Sequence, residues 1–273
     1  MIKRIFPQVF VSLFPQLFLF LLSFTSFSQI LNVEKSRVQE DTTKRYIGNI
    51  SINFSLNNRS TTPENRAIFV GLTGNSNLGY FSEKHAYLLF GTINYTSLTG
   101  AAPISTGYGH FRFNLNRKKK LSTELFAQIQ YDQSRGMNYR SLAGVGARLI
   151  IINTENASLY VGAGLMWETE EWDMPDESDS IIVKNIPKST NYVSVKARLN
   201  PFTTFNIINY YQVGFDNEQN VFRHRLNVDA SLIFLINKYL SFVNTFNAGY
   251  ENKPVVPILK FSYSLSNGIL IKF

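Results

Sequence analysis

From Tyr46 onward the chain is written in period two. Tyr46, Gly48, Ile50, Ile52, Phe54 and Leu56 take one parity, and Asn49, Ser51, Asn53, Ser55 and Asn57 take the other. Successive side chains of an extended strand point to opposite faces, so this segment has one apolar and one polar face. Only a strand set between two unlike surroundings needs that division. It returns in Leu121, Thr123, Leu125, Ala127, Ile129 and Tyr131, set against Ser122, Glu124, Gln128, Gln130 and Asp132, with Phe126 out of pattern on the polar side. Leu159, Val161, Ala163, Leu165 and Trp167 alternate with Ser158, Tyr160, Gly162, Gly164 and Glu168. Phe222, Leu226, Val228, Ala230, Leu232, Phe234 and Ile236 oppose Arg223, Arg225, Asn227, Asp229 and Ser231. The last run carries Leu259, Phe261, Tyr263, Leu265, Ile269, Ile271 and Phe273 on one face, with only Asn267 out of pattern.

The runs predict strands at 46–57, 66–81, 86–96, 104–116, 121–132, 139–152, 157–169, 190–200, 203–215, 221–236, 239–250 and 258–273. Their even number and their length, sufficient for the roughly 9 to 11 residues that cross a bilayer, point to a closed antiparallel transmembrane β-barrel of up-and-down topology with about twelve strands. Connections around Glu83, Lys119, Glu155, Pro201 and Asn237 are tight, which places them, and both termini, on the periplasmic side. Aromatic residues gather near strand ends, among them Tyr46, Tyr80, Tyr131, Trp167 and Tyr250, where interfacial girdles sit. A secreted β-sandwich or lipocalin-like barrel also alternates, but its strands need not all be this long.

The amino-terminal segment fits export. Lys3 and Arg4 precede a long apolar run from Ile5 to Leu22, broken by Pro7 and Pro15, and Ser26-Phe27-Ser28 offers a small-x-small cleavage site. Residues 1–28 are therefore expected to be a secretory signal peptide, 29–45 a charged periplasmic lead-in without period, and 46–273 the barrel. The two prolines, with no stop-transfer charges after them, argue against a retained helix. No later stretch offers 18 consecutive apolar residues, so any crossing must be made by strands. Cysteine is absent, which removes disulfides, thiolate metal sites and cysteine nucleophiles together. The formal charge of +8, which falls by two when Lys3 and Arg4 leave, and a pI near 9.5 suggest nucleic acid, but export and the scatter of the charges argue against it. An apolar content of 44% with a mean hydropathy of −0.08 is too polar for a helical membrane protein and suits strands that face lipid and lumen alternately.

Particular words carry a family resemblance: Gly71-Leu72-Thr73-Gly74-Asn75-Ser76, Phe126-Ala127-Gln128-Ile129-Gln130-Tyr131-Asp132 with Arg135-Gly136 and Arg140 following, and Gly144-Val145-Gly146-Ala147-Arg148. Gly162-Ala163-Gly164-Leu165-Met166-Trp167-Glu168 and Asn209-Tyr210-Tyr211-Gln212 extend it from about residue 50 to 273. The chain resembles the salt-induced outer-membrane protein family, domain of unknown function 481, in a Bacteroidota-like version. That resemblance implies an outer-membrane barrel without an assigned reaction, carries over no catalytic residue, and suggests a link to salt or osmotic stress.

Chemistry-bearing residues are few. His85 falls in a predicted turn, and His110 and His224 in strands. His224 stands on the lipid-side face near the rim, where a neighbouring Ser or Asn would make a lipid- or lipopolysaccharide-modifying hydrolase the alternative reading; an interfacial histidine is the plainer one. No G-x-S-x-G or H-E-x-x-H signature is present. No catalytic residue, cofactor site or metal site is expected. By parity Arg112, Glu124, Asp132, Arg140, Arg148, Glu168, Lys196, Arg198, Arg223, Arg225 and Asp229 face inward, as fillers of the lumen or as an electrostatic lining that favours anions. Residues 168 to 189 read as a long acidic loop, Arg117-Lys118-Lys119-Lys120 as a solubilising turn, and Gly74-Asn75-Ser76-Asn77 as a bend in a strand. The expected function is a non-enzymatic barrel in the outer membrane of a Gram-negative bacterium, either a narrow passive channel or an envelope-stabilising barrel. Its partners would be membrane lipid, lipopolysaccharide and the barrel-assembly machinery, with no nucleic acid and an oligomeric state left open.

Overall fold

The computed structural model describes residues 45–58, 68–174 and 180–271. The expected signal peptide, the lead-in up to residue 44 and Phe273 lie outside the described residues. Among those described, twelve strands follow one another: β1 (Tyr46–Asn58), β2 (Ile68–Phe81), β3 (Ala86–Leu98), β4 (Ile104–Leu115), β5 (Leu121–Asp132), β6 (Met137–Asn153), β7 (Ala157–Asp173), β8 (Ile181–Asn200), β9 (Thr203–Asp216), β10 (Val221–Leu235), β11 (Leu240–Glu251) and β12 (Phe261–Ile271). They form one sheet in sequence order, every neighbour antiparallel. A single 3-10 turn at Gln133–Arg135 joins β5 to β6. The tight connections stand where the turn residues place them, at one end of the sheet.

The sequence reading is corrected at β7 and β8. Residues Glu168 to Asp173 and Ile181 to Ser189, expected in an acidic loop, extend the hairpin as a ladder in which Glu168 opposes Ile186 and Asp173 opposes Ile181. Asp176, Glu177 and Asp179 lie outside the described residues. Gly74 to Asn77 keeps a regular register with both β1 and β3, so the expected bend is not a bulge. A register shift does occur between Met137 and Tyr139 on the β6–β7 ladder, and it turns Met137 inward, where it is buried.

The sheet curls. Five strand intervals of ~4.8 Å would hold β4 and β9 about 24 Å apart in a flat sheet, yet the Arg112 guanidinium donates to the Tyr210 hydroxyl at 3.2 Å. Tyr192 of β8 likewise donates to Glu124 of β5 at 2.9 Å. The concave side is the parity of Arg112 and Glu124, hereafter the inner face. The outer face carries the exposed apolar residues, such as Leu165 at 68% and Ile129 at 62% of full exposure. Both exceptions to the pattern find partners. Phe126 points inward, with Arg112 6.0 Å from its ring, and its ring occupies the space a side chain at Gly144 would need. Asn267, on the outer face, lies directly opposite Asn244 and accepts a hydrogen bond from its amide. Among the described residues no ladder joins β12 to β1.

Candidate functional site: a divided inner face

From β4 to β10 the inner face is packed with buried polar and charged side chains. Glu168 is its hub, because Arg140 donates to it from Nε at 2.8 Å, Arg225 from a terminal nitrogen at 3.1 Å, and Lys188 through its ammonium. Glu170 takes a second Arg225 hydrogen bond at 2.7 Å and the Trp172 indole N–H at 3.3 Å. Glu251 completes the group on the far side of Arg225 at 3.0 Å. Arg140, Lys188 and Arg225 thus face Glu168, Glu170 and Glu251, and the charges cancel. Nearer the end with the longer loops, Arg223 donates to Asp216 at 2.8 Å and Lys184 pairs with Asp216 and Glu218. Toward the tight turns Arg112 pairs with Glu124 at 3.4 Å, and the Arg148 guanidinium sits 4.0 Å from the Tyr160 ring centre. Charges placed this deep are tolerable only when matched, since an unpaired one costs several kcal/mol.

Between these groups lies a cavity of about 40 Å³ lined by His110, Gln128, Leu142, Met166, Tyr192 and Gln212 among others. At about 10–15 Å³ per water it has room for roughly three waters and no organic ligand. An apolar plug of Phe81, Ala86, Leu88 and Phe90 fills the inner side of β2 and β3 near the tight turns, with Arg117 5.2 Å from the Phe81 ring. At the opposite mouth the β11–β12 connection folds back: Val255 and Val256 are buried against Met137 and Trp172. It is tied down by Arg223, which donates to the Lys253 carbonyl, and by Asn252, whose side chain accepts from the His224 N–H at 2.8 Å and donates to the Phe222 carbonyl at 2.9 Å.

The remaining arc is different. On β1, β2, β3, β11 and β12 the inner parity carries, beside the apolar plug on β2 and β3, Ser51, Asn53, Thr73, Asn94, Asn247 and Ser264 and others of their kind, half-buried or exposed apart from the buried Ser241. These five strands hold one charged residue, Glu251, which is already paired with Arg225.

Of the inward residues expected from parity, Arg112, Glu124, Arg140, Arg148, Glu168, Arg223 and Arg225 are buried inside the curl. Asp132, Lys196 and Asp229 are half-buried, while Arg198 is exposed beside a register shift near the β8–β9 turn. Sequence reasoning missed Glu170, Lys184, Lys188 and Asp216. Their shared even parity was the available signal, obscured because the outer face there turns polar: Thr169 of β7 donates to Asn185 of β8 at 2.7 Å. His224 stands on the outer face and its Nδ1 lies 2.7 Å from the Tyr211 hydroxyl, while the nearby Ser189 hydroxyl accepts from Asn191 at 2.9 Å. Among the described residues no three His, Asp or Glu side chains are grouped to hold a metal ion.

Residues 70–273 match the family described as protein of unknown function, DUF481. The chain belongs to that family. The DUF481 match begins within β2 and runs through every later strand, so it includes the whole charged interior and the infolded loop. No curated protein matches the chain. Two solved structures to which the chain is similar are a NanC porin, at 10% identity and a TM-score of 0.43 over 84% of this chain and 99% of that one, and a deltaS2 mutant of the TodX monoaromatic hydrocarbon channel, at 7% identity and 0.41 over 84% and 78%. At those scores neither bears on the fold or role of this DUF481 chain.

Proposed function

We propose that the chain is an outer-membrane β-barrel, closed between β1 and β12, that serves as a narrow passive channel rather than as an enzyme. The observation that carries this reading is the outer face. Exposed apolar residues run around the sheet between two aromatic rows, one formed by Tyr46, Tyr80, Tyr87 and Phe113 with ring centres 4.5–5.7 Å apart, the other including Phe215 and Phe222 at 4.9 Å. From Phe205 to Phe215 a strand tilted as in membrane barrels rises about 25 Å, the height of the apolar band in such proteins. A soluble protein rarely leaves so large a contiguous apolar surface in water.

The same reading sets the barrel in a Gram-negative outer membrane, with the tight turns and both termini on the periplasmic side, and the expected signal peptide supports export. A non-enzymatic role is supported by the His224 imidazole being engaged with Tyr211 rather than with a serine hydroxyl. A part in salt or osmotic stress belongs to the same proposal on the strength of the family resemblance; equal growth of a deletion strain and its parent across salt concentrations would remove it.

The first test is planar-bilayer recording on refolded protein whose faster migration in unheated gels shows a formed barrel. Discrete conductance steps are expected. Silence from a correctly folded barrel, together with no swelling of liposomes in an uncharged sugar, would replace the channel with an envelope-stabilising barrel.

A further inference from the structure

We infer that the conduit runs along the uncharged arc of β11, β12 and β1 to β3, and that it passes small uncharged, hydroxyl-bearing solutes in preference to ions. This deepens the channel reading and rests on it. The packed arc from β4 to β10 offers no path, since its central charges are paired, Arg148 is covered by the Tyr160 ring, and its cavity of about 40 Å³ holds only a few waters. What remains open is the inner side of the other five strands, and near the tight turns, where the Phe81–Phe90 plug fills β2 and β3 and Ile47 packs against it, the path narrows to β11 and β12.

The chemistry of that wall selects by hydrogen bonding. Ser51, Asn53, Thr73, Asn94, Asn247 and Ser264 present both donors and acceptors, which can replace the water around a sugar or polyol group for group. An ion gains less from such a wall, because it gives up part of its hydration there without a counter-charge. The charges that would have recruited anions, Arg140, Lys188 and Arg225, are neutralised by Glu168, Glu170 and Glu251. An electrostatic lining is therefore replaced by a strut on one side and a neutral track on the other.

The test is swelling of liposomes containing the refolded chain, comparing arabinose with potassium gluconate in the presence of valinomycin, so that potassium does not limit entry. Arabinose is expected to enter at least about tenfold faster, the ratio that a barrier difference of 1.36 kcal/mol gives. Equal rates would overturn the inference while leaving a channel in place. Absence of swelling with either solute, from barrels whose gel migration shows them folded, would remove the channel and the inference with it. A second variant tests the location: Ser264→Lys is expected to raise gluconate entry severalfold, and an unchanged ratio in folded Ser264→Lys protein would show that the track lies elsewhere.

Discussion

Arg140, Lys188 and Arg225 all reach Glu168, so removing its charge leaves three buried cations facing two carboxylates. Breaking a buried charge group of this kind costs about 3–5 kcal/mol. Glu168→Gln is expected to lower the unfolding free energy by that order in urea titrations of refolded protein, whereas Lys118→Gln, on an exposed turn residue, is expected to stay within about 0.5 kcal/mol. Arg225→Met should behave like Glu168→Gln, and it should leave ion selectivity where it was. Glycine supplies a second residue-scale contrast. A Cβ on Gly164 would lie 2.5 Å from the Val145 carbonyl oxygen and 2.8 Å from the Gly146 Cα, backbone atoms that cannot step aside, while at Gly268 nothing lies within 4 Å. Gly164→Ala is expected to cost about 1–3 kcal/mol and to reduce the fraction that refolds to the fast-migrating form; Gly268→Ala should refold like the parent. Which face these residues occupy was legible from parity alone. Their partners were not, because alternation fixes a direction and says nothing of what a curled sheet brings to meet it.

At the scale of elements, strands were legible wherever one face is apolar. The β7–β8 hairpin outruns its expected bounds because Thr169, Glu171 and Asn185 make its outer face polar there, so the period-two contrast disappears although the ladder continues. The infolded β11–β12 connection was hidden for another reason. Val255 and Val256 stand between prolines with no period to read, and their burial depends on Met137 being turned inward by a bulge in a strand far away in sequence. Val256→Asp would set a carboxylate against Trp172 and Met137 and should free the loop. Larger single-channel conductance than the parent, with unchanged gel migration, is the expected result; an identical conductance would mean that the loop does not narrow the mouth.

For the molecule as a whole, twelve alternating runs with tight turns at every second connection were enough to give the sheet order, since each strand needs only its neighbour in sequence. Closure is the step that local pattern cannot supply, because β1 and β12 are separated by the entire chain. The absence of cysteine makes it measurable. A cysteine at Asn53 combined in turn with cysteines at Ser262, Ser264 and Ser266 should form a disulfide readily at one of these positions and poorly at the others, as a single register requires. Equal, slow cross-linking at all three would argue against a fixed seam.

The Asn244 side-chain amide donates to the Asn267 side-chain carbonyl on the outer face. In the proposed membrane setting, either one alone would leave that donor or acceptor facing hydrocarbon without a partner, at a cost of several kcal/mol. Joined, they cost far less, provided that β11 and β12 arrive side by side. The last hairpin is therefore cheaper to insert as a finished pair than as two successive strands, and one hydrogen bond on the outside of the sheet thereby favours an order of assembly.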